Sequence, residues 1–168
     1  MIRFNKLIKC LLNPKFFKFY IKGVSPLFEL TPLIKEISNT KTLIDIGSNK
    51  GQFGLIMRNY IPDLEIHSFE PIIEELDKQR EILGKVDIFY YNFALGNIEN
   101  EIDFYITSRK DSSSVLKPLN SANNVYKNTE KRKVQIKKLD KILDPKKLKR
   151  PITVKLDVQG FELETLMG

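Results

Sequence analysis

The chain has a single cysteine (Cys10), a single histidine (His67) and no tryptophan among its 168 residues. One cysteine excludes an intramolecular disulfide and a cysteine-cluster metal site. One histidine excludes paired-histidine zinc motifs such as H-E-x-x-H. No apolar run approaches the ~20 residues that cross a bilayer. Lysines interrupt the apolar stretch near the start and no small-residue cleavage site follows it, so the cytosol is the expected compartment. No Gly-Lys-Ser or Gly-Lys-Thr occurs anywhere, which excludes a P-loop. What remains is an ordinary globular composition, 42% hydrophobic and 29% charged, at a length that fits one domain.

The net charge of +7 is unevenly spread. Arg3, Lys6, Lys9, Lys15, Lys18 and Lys22 give residues 1–22 six positive charges with no acid, and residues 127–150 are also strongly basic. The rest of the chain is therefore acidic on balance, unlike a uniformly basic nucleic-acid binder. Phe4, Leu7, Ile8, Leu11 and Leu12 share one face of a helix expected over residues 2–12, with Lys6 and Lys9 opposite. A second apolar and basic cluster spans residues 16–22. Residues 1–25 thus read as a basic amphipathic extension, able either to pack on the domain that follows or to touch an anionic membrane surface at its inner face.

A short helix is expected over residues 26–38, before an alternation of strands and helices. Thr42 to Ile46 reads as a buried strand, followed by a glycine-bearing turn and a helix to about Asn59. Leu64 to Phe69 reads as a second strand. Pro71 is expected in the first turn of a helix to about Leu83, with Glu74 and Glu75 near its start. Val86 to Phe93 reads as a third strand. This β-α-β-α-β order predicts a parallel sheet covered by helices on both faces. Two further strands, Glu101 to Thr107 and Arg132 to Lys138, flank a polar loop and suggest an inserted hairpin. A short helix over Asp140 to Leu148, a strand from Ile152 to Val158 and a helix beginning at Phe161 complete the reading.

The most informative stretch is Asp45-Ile46-Gly47-Ser48-Asn49-Lys50-Gly51. A buried strand that ends in a carboxylate and passes through small residues into a helix is a cradle for a nucleotide cofactor. The dinucleotide fingerprint needs glycine where this chain has Asn49. Asp45 would repel a pyrophosphate and would suit a ligand bearing an ammonium and a sulfonium, which points to S-adenosyl-L-methionine. A plain strand-to-helix turn with capping Asp and Asn is the competing reading. Glu70 ends the second strand, where an acid can accept hydrogen bonds from both hydroxyls of an adenosine ribose.

With these residues in place, the sequence resembles the FkbM-type S-adenosylmethionine-dependent methyltransferases of the class I, Rossmann-like fold. The resemblance runs from about residue 42 to 168, through Leu43 to Gly51, Ser68 to Pro71, Asn92 to Asn97, Ser112 to Leu116, Lys137 to Leu143 and Val154 to Gly168. It implies that residues 26–168 form a doubly wound, mostly parallel α/β domain. It further implies that Asp45, Gly47, Asn49 and Gly51 surround the methionine part of the cofactor, that Glu70 holds its ribose, and that Asn92 to Ala94 line its adenine. Asp157 would sit beside the transferable methyl, there to orient or deprotonate an acceptor hydroxyl; capping of the next helix is its competing role. Such enzymes are similar to O-methyltransferases acting on sugars, glycans and secondary metabolites. The family's last strands are expected to be missing from this chain, leaving the fourth parallel strand as an edge.

Ser112 to Ser114 are expected either to contact the site or to belong to a solvated loop. Glu162 and Glu164 read as first-turn helix acids rather than metal ligands, and His67 as a structural strand residue. A non-catalytic module that keeps the fold is the alternative to an enzyme. A nucleic-acid substrate is disfavoured, because the basic segment 127–150 lacks aromatics for base stacking.

Overall fold

The computed structural model describes residues 14–25, 27–107, 113–116 and 130–168. The helix expected over residues 2–12 lies outside them. In chain order the elements are α1 (Pro14–Ile21), a 3-10 turn (Phe28–Leu30), α2 (Thr31–Glu36), β1 (Thr42–Ile46), α3 (Gln52–Tyr60), β2 (Glu65–Phe69), α4 (Ile73–Leu83) and β3 (Ile88–Tyr91). There follow β4 (Ala94–Leu95), β5 (Asn100–Ile106), β6 (Glu130–Lys137), α5 (Leu139–Ile142), β7 (Ile152–Leu156) and α6 (Glu162–Leu166).

β1 is buried at all five positions, as its unbroken apolar run predicts for a strand covered on both faces. It lies inside a parallel sheet of order β3-β2-β1-β7. Alternation along each strand splits the core. Leu43, Ile66 and Ile88 point to one face and pack with Ile34 of α2 and with Phe53, Ile56 and Met57 of α3. Ile44, Ile46 and Phe69 point to the other, where Leu139, Ile142 and Leu143 cover them. The result is a mixed α/β fold of the Rossmann-like kind, with its thicker helical layer on the Leu43 face. Phe16 of α1 and Val24 join that same layer, and Phe16 meets the Phe28 ring edge-on at 5.1 Å. Among the described residues no helix is long and apolar enough to cross a membrane.

A second sheet, β4-β6-β5, contains the expected hairpin as the antiparallel pair β5 and β6. Its inner residues Phe104, Ile106, Val134 and Ile136 pack with Ile72 and Ala94. Thr165 of α6 donates to the Leu95 carbonyl at 3.0 Å and ties the last helix to this sheet.

Several boundaries differ from the sequence reading. The helix expected over 26–38 is a 3-10 turn followed by a helix of six residues. Pro71 precedes α4 rather than opening it: Ile72 is the extended N-cap, and its N–H is taken by the Glu70 carboxylate at 2.9 Å. The third strand ends at Tyr91, since Asn92 spends its side chain on the Glu70 and Pro71 carbonyls (3.0 Å each), and Ala94 enters the second sheet. The helix read over 140–148 is the single turn of α5. Leu143 is extended, and Asp144 Oδ1 accepts the Lys146 N–H at 2.9 Å to form a side-chain turn that breaks the helix.

Candidate functional site

The site grows out of the turn after β1. Gly47, Asn49 and Gly51 all have positive φ, so the chain coils tightly between strand and helix. The Gly47 and Ser48 N–H groups both reach the Phe69 carbonyl, at 3.0 and 3.1 Å, and lash the turn to the end of β2. Beneath it lies a buried polar chain. Ser68 Oγ donates to Gln79 Oε1 at 2.6 Å, Gln79 Nε2 to Ser48 Oγ at 2.7 Å, and Ser48 Oγ to the Phe69 carbonyl at 3.2 Å. Gln79 also donates to the Asn49 carbonyl and is fully buried. Replacing Gln79 with leucine is therefore expected to lower stability by about 2 kcal/mol, because the serine hydroxyls and the Asn49 carbonyl lose buried partners. Urea unfolding of the variant beside the wild type reads this directly.

Glu70 stands at the tip of β2, 5% exposed. Its Oε2 accepts the Asn49 N–H at 2.8 Å and its Oε1 the Ile72 N–H, so one carboxylate bridges the glycine turn and the start of α4. Burial pushes its pKa up to about 7, although both backbone N–H groups favour the charged form. Asp157, at the tip of β7, is exposed, and its Oδ1 accepts the Gln159 side-chain amide at 2.7 Å. It does not cap the following helix. Glu162, the first residue of that helix, instead ties down the loop before it, accepting the Gly160 N–H at 3.1 Å and lying 3.4 Å from the Val158 nitrogen. These backbone donors hold its pKa below the usual carboxylate range.

Between these strand ends opens a cavity of about 250 Å³. Gly47, Ser48, Asn49, Glu70, Lys155 and Asp157 line its polar side. Ile72, Phe93, Ala94, Phe104, Val115 and Phe161 supply apolar wall, much of it from the second sheet. Of the residues singled out in the sequence, Gly47, Asn49, Glu70, Ala94 and Asp157 thus meet at one cavity, as does Ser113. Asp45, Gly51 and Asn92 stand behind the wall. Asp45 is 1% exposed, and Asn92 braces the backbone of residues 70–71. At Gly51 a Cβ would come within 2.9 Å of Leu83 Cδ1 and 3.0 Å of Gln79 Cγ, so this glycine admits the close approach of α4. Ser112 lies outside the described residues.

The chain matches the family model of the methyltransferase FkbM domain over residues 45–168. It belongs to the FkbM methyltransferase family. Comparison with curated proteins and with solved structures gives no match. The matched residues start inside β1, at Asp45, and include the whole second sheet and each cavity residue named above.

Two residues of the FkbM domain escaped the sequence reading. Lys155 projects from the penultimate position of β7, and Gln159 holds the Asp157 carboxylate from a left-handed position (φ 55°). A lysine inside an apolar strand was the available signal for the first, since lysine is rarely buried without a partner. His67 is structural: 5% exposed, it lies 3.1 Å from the Tyr91 hydroxyl and 3.2 Å from Glu65 Oε1, and stacks on Phe89. Burial lowers its pKa against the pull of Glu65. Among the described residues no cluster of His, Cys, Asp and Glu is arranged to hold a metal ion.

Proposed function

We propose that this methyltransferase binds S-adenosyl-L-methionine in the cavity at the strand ends and methylates a hydroxyl oxygen of a sugar, glycan or secondary metabolite. The observation that carries the reading is the convergence of Glu70 and Asp157, from the tips of two different parallel strands, on one cavity edged by the glycine turn. Ligands of parallel α/β sheets bind at this end of the strands. The donor set fits the cofactor. Each Glu70 oxygen accepts one backbone N–H and retains a second lone pair for a ribose hydroxyl. The apolar side, with Ile72, Phe93 and Ala94, offers a purine a dry surface. With Glu70 ionised, two acids against one lysine leave the cavity edge negative, which favours a cationic ligand.

When bound, the cofactor supplies an electrophilic methyl group on sulfur. The protein's part is alignment and proton removal. Asp157, held by Gln159, would accept a hydrogen bond from the acceptor hydroxyl and take its proton as the oxygen is methylated. Gly47, Ser48 and Asn49 would surround the amino-acid end of the cofactor. Asp45 and Gly51 would support that wall from behind, and Asn92 would fix the loop that carries Glu70.

Calorimetric titration with S-adenosylhomocysteine tests the reading. Micromolar affinity is expected, with no heat from NAD and clear weakening in Glu70→Ala. A folded chain that gives no heat with S-adenosylhomocysteine would overturn it. Binding without turnover on any hydroxyl acceptor would instead favour a non-catalytic module.

A further inference from the structure

The parallel pairing of β1 with β7 sets Lys155 directly opposite Asp45, with both side chains on the same face of the sheet. Lys155 is only 20% exposed and Asp45 1%. Four oxygens surround the lysine nitrogen. Nζ donates to the Gly47 carbonyl at 2.7 Å, lies 3.3 Å from the Ile46 carbonyl and 3.3 Å from Asp45 Oδ1, and stands 3.9 Å from Asp157 Oδ2. An ammonium group has three N–H donors, and three of these oxygens lie within 3.3 Å. Lys155 therefore spends its two hydrogen bonds and its nearest ion-pair contact on the protein itself, although it lines the cavity. Whatever it does there, it does through its neighbours.

Resting on the proposed cofactor site, we infer that Lys155 is its positioning residue: it fastens the glycine turn to the end of β7 and balances the charge of Asp45, so that turn and Asp157 face the cavity in fixed register. The contacts divide the task. The carbonyls of Ile46 and Gly47 stand at the junction of β1 and the turn, and the Asp157 N–H also donates to the Ile46 carbonyl, at 3.1 Å. Lys155 thus closes a ring from β7 to the turn and back to β7. Asp45 Oδ1 is buried with no well-aligned hydrogen bond, so the nearby positive charge is its main compensation. Burial raises the Asp45 pKa, Lys155 lowers it by charge and contact, Asp157 raises it and the Gly54 backbone lowers it. Without the lysine, two carboxylates would share this corner with no cation between them.

The test compares Lys155→Met, Lys155→Gln and Lys155→Arg with the wild type by two readouts. In the ligand-free chain, ¹³C NMR follows the Asp45 carboxyl through a pH titration. Calorimetry gives the affinity for S-adenosylhomocysteine. In Lys155→Met the Asp45 titration is expected to move to higher pH and the affinity to fall about tenfold. Lys155→Arg should return the Asp45 titration toward that of the wild type. Should Lys155→Met fail to fold, Lys155→Gln carries the test, since it keeps a donor for the Gly47 carbonyl but lacks the charge. An unchanged Asp45 titration in the neutral variants, with melting temperature alone reduced, would overturn the inference and leave the lysine a mere packing element. If the wild type itself gives no heat with S-adenosylhomocysteine, the cofactor reading fails, and the Asp45 titration still reports on Lys155.

Discussion

Alanine at Gly47 is expected to cost the fold about 3 kcal/mol or more, a large share of the stability of an ordinary domain. Two penalties add. Gly47 has φ +67°, where any residue with a Cβ is disfavoured by about 1–2 kcal/mol. The new Cβ would also fall 2.0 Å from the Asp157 carbonyl oxygen, a backbone atom of the neighbouring strand. That strand end cannot simply retreat, because the Asp157 N–H is bonded to Ile46 and Lys155 grips the Gly47 carbonyl. Relief requires parting β1 from β7, which overpacking of this kind makes worth about 1–3 kcal/mol. Gly23→Ala is the control: its φ is +79°, but nothing lies within 4 Å of the added carbon, so only the conformational penalty applies. Thermal unfolding of both variants isolates the clash as the difference. Equal losses in the two would show that β7 yields freely. Binding of S-adenosylhomocysteine should vanish in Gly47→Ala even below its melting temperature.

The second large effect is a pH dependence located at Glu70. Its carboxyl, near pH 4.5 in the unfolded chain, titrates at about 7 in the folded one, chiefly because it is buried. Between those values the folded chain holds a proton that the unfolded chain has released. Stability from this site is therefore fully present below pH 4.5 and declines as the pH rises through 7, by about 3 kcal/mol in all. In Glu70→Gln the site cannot titrate. The amide meets one backbone N–H with the wrong group, which lowers stability at every pH without adding slope. Urea unfolding at pH 4.5 and pH 8 should show the wild type losing about 3 kcal/mol more than the variant across the interval. His67 acts in the opposite sense, with stability rising as the pH climbs toward 6.5, but both chains carry it and it cancels. Parallel pH curves would mean that the Glu70 carboxyl titrates alike in the folded and unfolded chains.

Most of the main sheet was legible, because β1 and β2 are short apolar runs bounded by turn residues and their helices carry ordinary periodicity. The end of the third strand was not. Asn92 leaves the ladder through side-chain bonds to residues 70 and 71, and no local pattern encodes a partner so distant in the chain. The site divided along the same line. Glu70, Gly47 and Asn49 could be named from strand ends and glycine spacing, and Asp157 from the family resemblance. Which turn residues face the cavity depends on three-dimensional packing, and Asp45 and Gly51 turn inward instead. Lys155 acquires a role only from register: Asp45 and Lys155 are neighbours because β7, the last of the described strands, pairs with β1, the first of them.

That pairing also has a consequence for assembly. Thr42 meets Ile152 across the sheet, with every other described strand lying between them in the chain. Among the described strand pairings this one closes the longest loop, and its entropic cost favours late formation. Until β7 docks, Asp45 has no counter-ion, Gly47 has no neighbouring backbone to fit, and the cavity lacks Lys155 and Asp157 altogether. A pocket that needs β7 is complete only once this pairing has formed, and a ligand bound there as proposed would favour the chain's native topology.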